Sequence, residues 1–291
     1  MIIISIFGGL GNQMFQYAAA RRLSYIHKTP LFLDISRIRN KAFPIKAPRD
    51  FALEIFNVKI LFASQKQISR CTGKYQTLFH NIFYKIGQKI NRHQLIKEPH
   101  YHFYPELFNA PNNCYLSGYW QSEKYFFDIE HIIRDEFSFK NNLTSIYVPV
   151  IEKIVATNSV CIHIRRTDFV TNPNVHLHNL DYFFRAVSII NQKISQPHFF
   201  IFSDDIDWCT QNVKLSHPTT FVPKVLSGEN AQGHLHLMTL CKHFILSNST
   251  FGWWAAWLQP SKDKIVITPR NWFGISKLDS KDLIPESWLK I

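Results

Sequence analysis

The chain has 291 residues, of which 46% are hydrophobic, so it can bury one large core or two of ordinary size, and a disordered protein is excluded. The net charge of +12 favours binding of polyanions, such as nucleotide phosphates, nucleic acid or an anionic lipid surface. The five cysteines show no CxxC pair and no Cys/His ligand spacing, which argues against a disulfide framework and a structural zinc site.

The start of the chain and its hydropathy bear on location. Met1 to Phe7 is apolar, lacks a basic residue and ends at Gly8, so it is too short for a signal peptide. No apolar run approaches the roughly 20 residues that a membrane span requires. Cys161 and Cys241 lie in apolar surroundings and are predicted to be buried thiols. We expect a cytoplasmic protein whose positive charge allows peripheral contact with the inner face of a membrane.

The first elements predict a β-loop-α unit. A strand is expected from Ile2 to Phe7, a glycine loop from Gly8 to Gly11, and a helix from about Asn12 to His27. A second strand ends at Asp34. Residues 37 to about 111 are basic, aromatic and irregularly patterned, and few elements can be predicted there.

The second half of the chain alternates regularly. A strand and turn at 114–122 and a helix near 125–137 lead to a polar segment, 141–145, which indicates a boundary between domains 1–147 and 148–291. Strands are then predicted at 160–164, 198–202, 220–222, 244–247 and 265–268, and helices near 180–191, 205–209, 235–243 and 251–258. Such alternation predicts an α/β fold with parallel, doubly wound sheets.

The glycine loop is the first candidate site. Gly9 and Gly11 permit close backbone approach of a sugar or phosphate, and Asn12 and Gln13 add amide donors and acceptors at a helix N-terminus. A dinucleotide-binding loop is one alternative, but Met14 stands where a small residue should allow helix packing. A tight turn with a polar cap is another.

The second candidate is the arginine pair at the end of the apolar strand Cys161 to Ile164. Arg165 and Arg166 stand where open α/β sheets bind ligands, and a guanidinium fits phosphate bidentately, which predicts a diphosphate-bearing ligand. The alternative is a surface arginine pair braced by Asp168.

Two further turns follow buried strands. Asn248, Ser249, Thr250 and Phe251 lead into an apolar helix whose N-terminus suits an oxyanion, or Asn248 or Ser249 simply caps the helix. Trp253, Trp254 and Trp257, within that helix, are predicted to be core residues. In the other turn, one carboxylate of the Asp204-Asp205 pair can accept from guanine while the other caps the next helix, or both cap. His234, His236 and His243 have no carboxylate at metal-ligand spacing, so no metal site is expected.

The chain resembles the bacterial α-1,2-fucosyltransferases of glycosyltransferase family 11. Six ordered motifs carry the resemblance: Gly8 to Tyr17, Gly118 to Phe126, His163 to Phe169, Phe202 to Cys209, Cys241 to Leu258, and Trp272-Phe273. The departures are small: Thr167 stands where the family often has Gly, and Trp120 where Phe is frequent.

The resemblance implies a GT-B arrangement of two Rossmann-like domains facing a cleft. The N-terminal domain would be the acceptor side, and the C-terminal domain would bind the donor, GDP-β-L-fucose. The implied reaction is inverting transfer of fucose to the 2-hydroxyl of a terminal galactose, with no metal and no other cofactor. The implied partners are GDP-fucose and a galactose-terminated oligosaccharide, with no nucleic acid.

The same resemblance implies roles for individual residues. Arg165 and Arg166 would bind the diphosphate. His163 and Asp204 would lie near the guanosine. Arg165 and Asn12 are the expected catalytic residues. The donor set is completed by Asp168, Asn248, Ser249, Thr250 and Phe251, and the acceptor or fucose side by Gly9, Gly11, Asn12 and Gln13.

The chemistry agrees with these roles, because preorganised cations and N–H dipoles stabilise the negative charge that grows on a leaving diphosphate. The general base stays unassigned, with Asp168 and Glu123 both considered. Specificity for the acceptor is expected in residues 37–111, with lactose, N-acetyllactosamine and lipopolysaccharide O-antigen termini all open. A non-catalytic binder of polyanions or surface glycans is the alternative function.

Overall fold

The computed structural model describes residues 1–39, 50–73, 94–170, 179–228, 231–273 and 279–291, without the side chains of Asp168 and Phe169. The chain forms two compact units. Unit 1 comprises Met1–Glu54 and Val58–Glu136, and unit 2 comprises Ile55–Asn57 and Phe137–Ile291. The domain boundary predicted between residues 147 and 148 therefore falls inside unit 2.

Unit 1 contains a four-stranded parallel sheet with the order β2-β1-β4-β3. Its strands are β1 (Ile2–Ser5), β2 (Leu31–Asp34), β3 (Leu95–Lys97) and β4 (Cys114–Ser117). Its α-helices are α1 (Leu10–Ile26), α2 (Ser36–Arg39), α3 (Gln65–Thr72) and α4 (Glu130–Glu136). The whole of β1 is buried, as expected for a strand in a parallel sheet that is covered on both faces.

Unit 2 contains a six-stranded parallel sheet. Its strands are β5 (Asn158–Ile164), β6 (Pro197–Ser203), β7 (Thr219–Phe221), β8 (His243–Leu246), β9 (Val266–Thr268) and β10 (Leu289–Lys290). Its α-helices are α5 (Val148–Ala156), α6 (Thr167–Val170), α7 (Leu180–Lys193), α8 (Ile206–Asn212), α9 (Gln232–Thr239) and α10 (Thr250–Leu258).

The strand order of unit 2 determines where a ligand can bind. The order is β10-β9-β8-β5-β6-β7, so the chain runs outward from β5 to one edge and then returns to build the other edge from β8. This is the order of dinucleotide-binding folds, and ligands bind such sheets outside the carboxyl ends of the two strands where the direction reverses. In unit 2 those strands are β5 and β8. The corresponding pair in unit 1 is β1 and β4, because the chain crosses over β1 after β2.

The structure corrects two predicted boundaries of helices. The helix expected at 235–243 is α9, which ends at Thr239, because His243 begins β8 and pairs with Val160 of β5. Leu10 and Gly11 belong to α1, since Gly9 is its extended N-cap residue, with φ −72° and ψ 171°.

The core confirms the predictions for the aromatic helix and the thiols. Trp253 and Trp254 are fully buried, and Trp257 is nearly so. Cys161 and Cys241 are free thiols and fully buried. Among the residues that the structure describes, no helix is long and apolar enough to cross a membrane.

Candidate functional site

The two arginines that follow β5 have different partners. The Nη1 atom of Arg165 lies 3.2 Å from Oδ2 of Asp204. Arg166 lies with its guanidinium carbon 3.4 Å from the ring centroid of Trp208, and its Nε atom donates to Oδ2 of Asp205 at 3.2 Å. Stacking and an ion pair thus hold the Arg166 side chain against α8, and its contact with a diphosphate stays a prediction. The acidic partners are Asp204 and Asp205, at the end of β6.

Asp204 connects the ends of β5 and β6. Its Oδ1 accepts the backbone N–H of Arg166 at 2.9 Å, and its Oδ2 accepts the N–H and the hydroxyl of Thr167. Burial acts to raise the pKa of Asp204, but Arg165, the Thr167 hydroxyl and the Arg166 N–H outweigh burial and hold that pKa below its usual value. Asp204 is therefore ionised at neutral pH.

Asp205 is the N-cap residue of α8, and its Oδ1 accepts the backbone N–H of Trp208 at 3.4 Å. One carboxylate of the pair thus caps the helix, while the other holds the turn after β5. The structure excludes the alternative in which both carboxylates serve as caps.

His163 lies inside the sheet edge next to this turn. Its ring is buried, and its Nδ1 atom lies 3.2 Å from Oγ of Ser247, the residue after β8. Burial, with the neighbouring charge of Arg165, lowers the pKa of His163 to about 3. The imidazole is therefore neutral at physiological pH and can offer one donor and one acceptor.

The turn from β8 into α10 lies beside His163. Ser249 is the N-cap residue of α10, but its side chain makes no capping hydrogen bond. Asn248 donates instead through Nδ2 to the backbone oxygen of Trp272 at 2.8 Å. The alternative in which the Ser249 side chain caps the helix is therefore not observed. The N-terminus of α10 brings Thr250 and Phe251 to the carboxyl edge, where the Phe251 ring lies 5.7 Å from that of His163.

The carboxyl edge of unit 1 contains the glycine turn after β1 and the turn after β4. Asn12, in the first turn of α1, accepts a hydrogen bond through Oδ1 from Nε2 of Gln121 at 2.8 Å. Gly8 has φ +78°, and a Cβ there would lie 2.7 Å from Nδ2 of Asn12. A Cβ on Gly9 would meet no atom within 4 Å. Open space at Gly9 is what close approach of a ligand would need.

Gln13 and Gly11 contribute to this edge in another way. The Gln13 side chain is fully buried, donating to the backbone oxygens of Gly8 and Asp50 and accepting from the N–H of Ala52. It therefore holds the glycine turn in place. Gly11 is a buried residue of α1.

Two residues of this edge escaped sequence reasoning. Gln121 belongs to the motif Gly118 to Phe126, but the motif gives it no role. Glu98 follows β3 within residues 37–111, where the sequence predicts few elements. Glu98 accepts backbone N–H groups from Tyr119 and Trp120. Hydrophobic periodicity carries no signal for such long-range contacts, because they depend on which strands become neighbours.

Asp34 bears on the dinucleotide-binding alternative, because an acidic residue at the end of the second strand binds the ribose in such folds. The Asp34 side chain is buried, and its Oδ2 accepts the hydroxyl of Tyr115 at 2.7 Å, while its Oδ1 accepts the N–H of Ser36. A carboxylate engaged in this way serves the fold of unit 1 rather than a ribose. Within the described residues, no group of three or more His, Cys, Asp and Glu side chains is arranged to hold a metal ion.

Comparison with known proteins identifies the family. The model of glycosyl transferase family 11 matches residues 1–291. The chain belongs to glycosyltransferase family 11. The resemblance seen in the six motifs is thereby confirmed.

The relatives describe what this family 11 chain is similar to. It is 30% identical to an α-1,2-colitosyltransferase of Escherichia coli, over 100% of this chain and 99% of that protein. It is 25% identical to galactoside α-(1,2)-fucosyltransferase 2 of Hylobates lar, over 89% of this chain and 69% of that protein. This family 11 protein is therefore a glycosyltransferase.

A solved structure confirms the fold class. The NodZ α-1,6-fucosyltransferase of Bradyrhizobium, co-crystallized with GDP, aligns with 89% of this chain and 92% of its own, with a TM-score of 0.51 at 14% identity. The expected α/β fold of GT-B type, with parallel sheets, is confirmed.

Proposed function

We propose that this glycosyltransferase transfers L-fucose from GDP-β-L-fucose to the 2-hydroxyl of a terminal galactose. The observation that carries the proposal is the grouping of Arg165, Asp204, His163 and the N-terminus of α10 where β5 and β8 reverse the strand order. Relatives that form α-1,2 linkages support the proposed reaction. The GDP in the NodZ crystals supports a guanine nucleotide as the carrier of the donor sugar.

In this proposal unit 2 binds the donor. Arg165 neutralises the diphosphate, and the N-terminal dipole of α10, with Ser249, Thr250 and Phe251, adds to the positive field. The neutral imidazole of His163 and the carboxylate of Asp204 border the guanosine. Because protein cations and dipoles supply this field, we propose that transfer requires no metal ion.

The acceptor oxygen attacks the anomeric carbon of fucose as the bond to the β-phosphate oxygen breaks, and GDP leaves with the electron pair. The configuration inverts from β to α, and the hydroxyl proton is lost to a base not yet assigned. Asn12 orients the acceptor or fucose hydroxyls, since an amide does not take up a proton at neutral pH. Each preorganised contact to the leaving group contributes about 3–4 kcal/mol.

A second donor has a specific observation in its favour. The relative that is 30% identical along the whole chain is an α-1,2-colitosyltransferase, which transfers colitose and forms an α-1,2 linkage. Colitose lacks the 3-hydroxyl of fucose, so a site for GDP-colitose differs from one for GDP-fucose in what contacts that position.

The experiment compares donors directly. The protein is incubated with GDP-fucose or GDP-colitose as donor, in the presence of a metal chelator. The acceptor is lactose, N-acetyllactosamine or an O-antigen fragment. GDP release and the linkage of the product are measured. We expect an α-1,2-fucosylated galactoside. Product from GDP-colitose alone would replace fucose by colitose in the proposal, and dependence on added metal would refute the metal-free part of it.

The same experiment separates the enzyme from a non-catalytic binder of polyanions or glycans. A binder releases no GDP from either donor and is stabilised against heat more by heparin than by GDP. That result would overturn the proposed function.

A further inference from the structure

Glu98 lies at the same edge of the unit 1 sheet as the glycine turn, because the carboxyl ends of parallel strands meet at one edge. It follows β3 directly, and its N–H donates to the backbone oxygen of Ser117, at the end of β4. Its Oε2 accepts the N–H of Tyr119 at 2.6 Å, and its Oε1 accepts the N–H of Trp120 at 2.8 Å. One carboxylate thus holds two consecutive backbone donors of the turn after β4.

That turn requires an external support. Trp120 has φ +57°, a left-handed conformation that is costly for a bulky side chain, yet its ring is fully buried. A Cβ on Gly118 would lie 2.3 Å from the Cβ of Glu98, so the backbone passes against the Glu98 side chain with no room for a larger residue. The close passage and the two hydrogen bonds define the path of residues 118–120.

The turn ends at the residue that contacts Asn12. Gln121 is buried and donates through Nε2 to Oδ1 of Asn12 at 2.8 Å. Ser122 then closes the turn by donating its N–H to the backbone oxygen of Trp120 at 2.9 Å. A continuous set of contacts therefore runs from Glu98 through the turn to Asn12, entirely within unit 1.

We propose that Glu98 is a positioning residue for the acceptor side of the site: its carboxylate holds the turn 118–121 so that Gln121 fixes the orientation of the Asn12 amide. This inference rests on the proposed function, which gives Asn12 its role. Glu98 acts on the reaction through Gln121 and Asn12, and the effect of its loss falls on the acceptor rather than on the nucleotide.

The test uses Glu98→Gln in the full chain. The amide keeps the size of the side chain but places an NH2 group opposite a backbone N–H. Losing one charge-assisted hydrogen bond predicts a fall of about tenfold to hundredfold in kcat/KM for the acceptor. The Kd of GDP, measured by calorimetry, should stay within about twofold of wild type.

The matched control is Glu136→Gln. Glu136 also lies in unit 1, is half-buried like Glu98, and accepts hydrogen bonds from Tyr17 and Arg21, neither of which belongs to the turn. It should leave the kcat/KM for the acceptor near wild type. An equal fall in both variants would reduce the role of Glu98 to general stability and overturn the proposal.

Further measurements test the proposal if Glu98→Gln does not fold or if no sugar transfer is found. If Glu98→Gln fails to fold, Gln121→Asn is the second variant, because its shorter amide cannot reach Asn12. It should show the same acceptor defect with GDP affinity intact, and wild-type kinetics in it would overturn the inference.

If the wild type transfers no sugar, the proposed function fails, whereas hydrogen exchange still tests the positioning. Glu98→Gln should speed exchange at the Tyr119 and Trp120 amides and shift the Asn12 side-chain NMR signals, and unchanged exchange and signals would contradict it.

Discussion

Arg165 and Arg166 are neighbours in sequence, yet their guanidinium groups lie in different surroundings. Arg165 pairs with Asp204, which also holds the backbone of the turn, whereas Arg166 stacks on Trp208 and pairs with Asp205. The sequence predicts that both follow a buried strand. It cannot predict which arginine stacks, since that depends on where α8 begins relative to β5.

Replacing the two arginines separately should give different losses. We expect Arg165→Ala to lower kcat/KM about 100-fold to 1000-fold with little change in Tm, because it removes a preorganised charge from the leaving diphosphate. Arg166→Ala should lower the stability of the fold by about 0.5–2 kcal/mol, since it removes a stacked cation. Transferase kinetics and thermal unfolding measure the two effects.

The control for this pair is Arg185→Ala, an exposed arginine of α7 in the same unit, which should change neither quantity. A larger loss of activity in Arg166→Ala than in Arg165→Ala, at unchanged Tm, would reverse the assignment.

At the level of elements, the packing of α10 against β5 positions the candidate donor site. The contact is close because residue 252 is glycine: a Cβ there would lie 2.8 Å from Nδ1 of His163. The bounds of α10 were predicted to within one residue, because its apolar run is long and starts at polar residues. The sequence extends the preceding helix to residue 243, which is wrong because His243 pairs with Val160 and begins β8.

Gly252→Ala should push α10 away from β5. We expect the added methyl group to destabilise unit 2 by about 1–3 kcal/mol, the usual cost of overpacking, and to weaken GDP binding in step. Thermal unfolding and calorimetric titration with GDP test this. Gly9→Ala, where a Cβ meets no atom within 4 Å, is the control for the steric effect and should leave thermal unfolding near wild type. Full GDP affinity in Gly252→Ala would show that the position of α10 does not matter for the nucleotide.

At the scale of the whole molecule, two parallel sheets share one principle: each presents polar side chains where its strand order reverses. In unit 2 these are the turns after β5 and β8, and in unit 1 the turns after β1 and β4. Unit 2 also buries many histidines, and burial lowers the pKa of each of the following: His163, His198, His234, His236 and His243.

The histidines make stability depend on pH. Their pKa values are lower in the folded than in the unfolded chain, so the unfolded chain binds more protons in mild acid. Burying these histidines in their neutral form contributes stability that is present above about pH 6.5. That contribution is lost as the pH falls toward the pKa values of the histidines in the folded chain. For His163, with a folded pKa of about 3, the loss between pH 6.5 and 5 is about 2 kcal/mol.

Denaturant unfolding at a series of pH values measures this dependence. The slope of the unfolding free energy against pH measures how many more protons the unfolded chain binds than the folded one. Below about pH 6 we expect this number to be smaller by about one in His163→Asn than in wild type. Glu98 contributes with the opposite sign, because burial raises its pKa, so the comparison of variant with wild type is what isolates the histidine. Identical slopes would mean that His163 is protonated in the folded state.

Sequence patterns are sufficient to predict the α/β class, most strands of unit 2, the buried tryptophans and thiols, and the positions of the arginine pair and the glycine turn. These follow from local information: runs of apolar residues, their period, and the residues that stop them. The folded chain is needed to show that Arg166 stacks on Trp208, that Asp204 holds the turn after β5, and that Glu98 supports the turn leading to Asn12. Each contact joins residues that lie far apart in the chain, and the order of strands and helices within each unit brings those residues together.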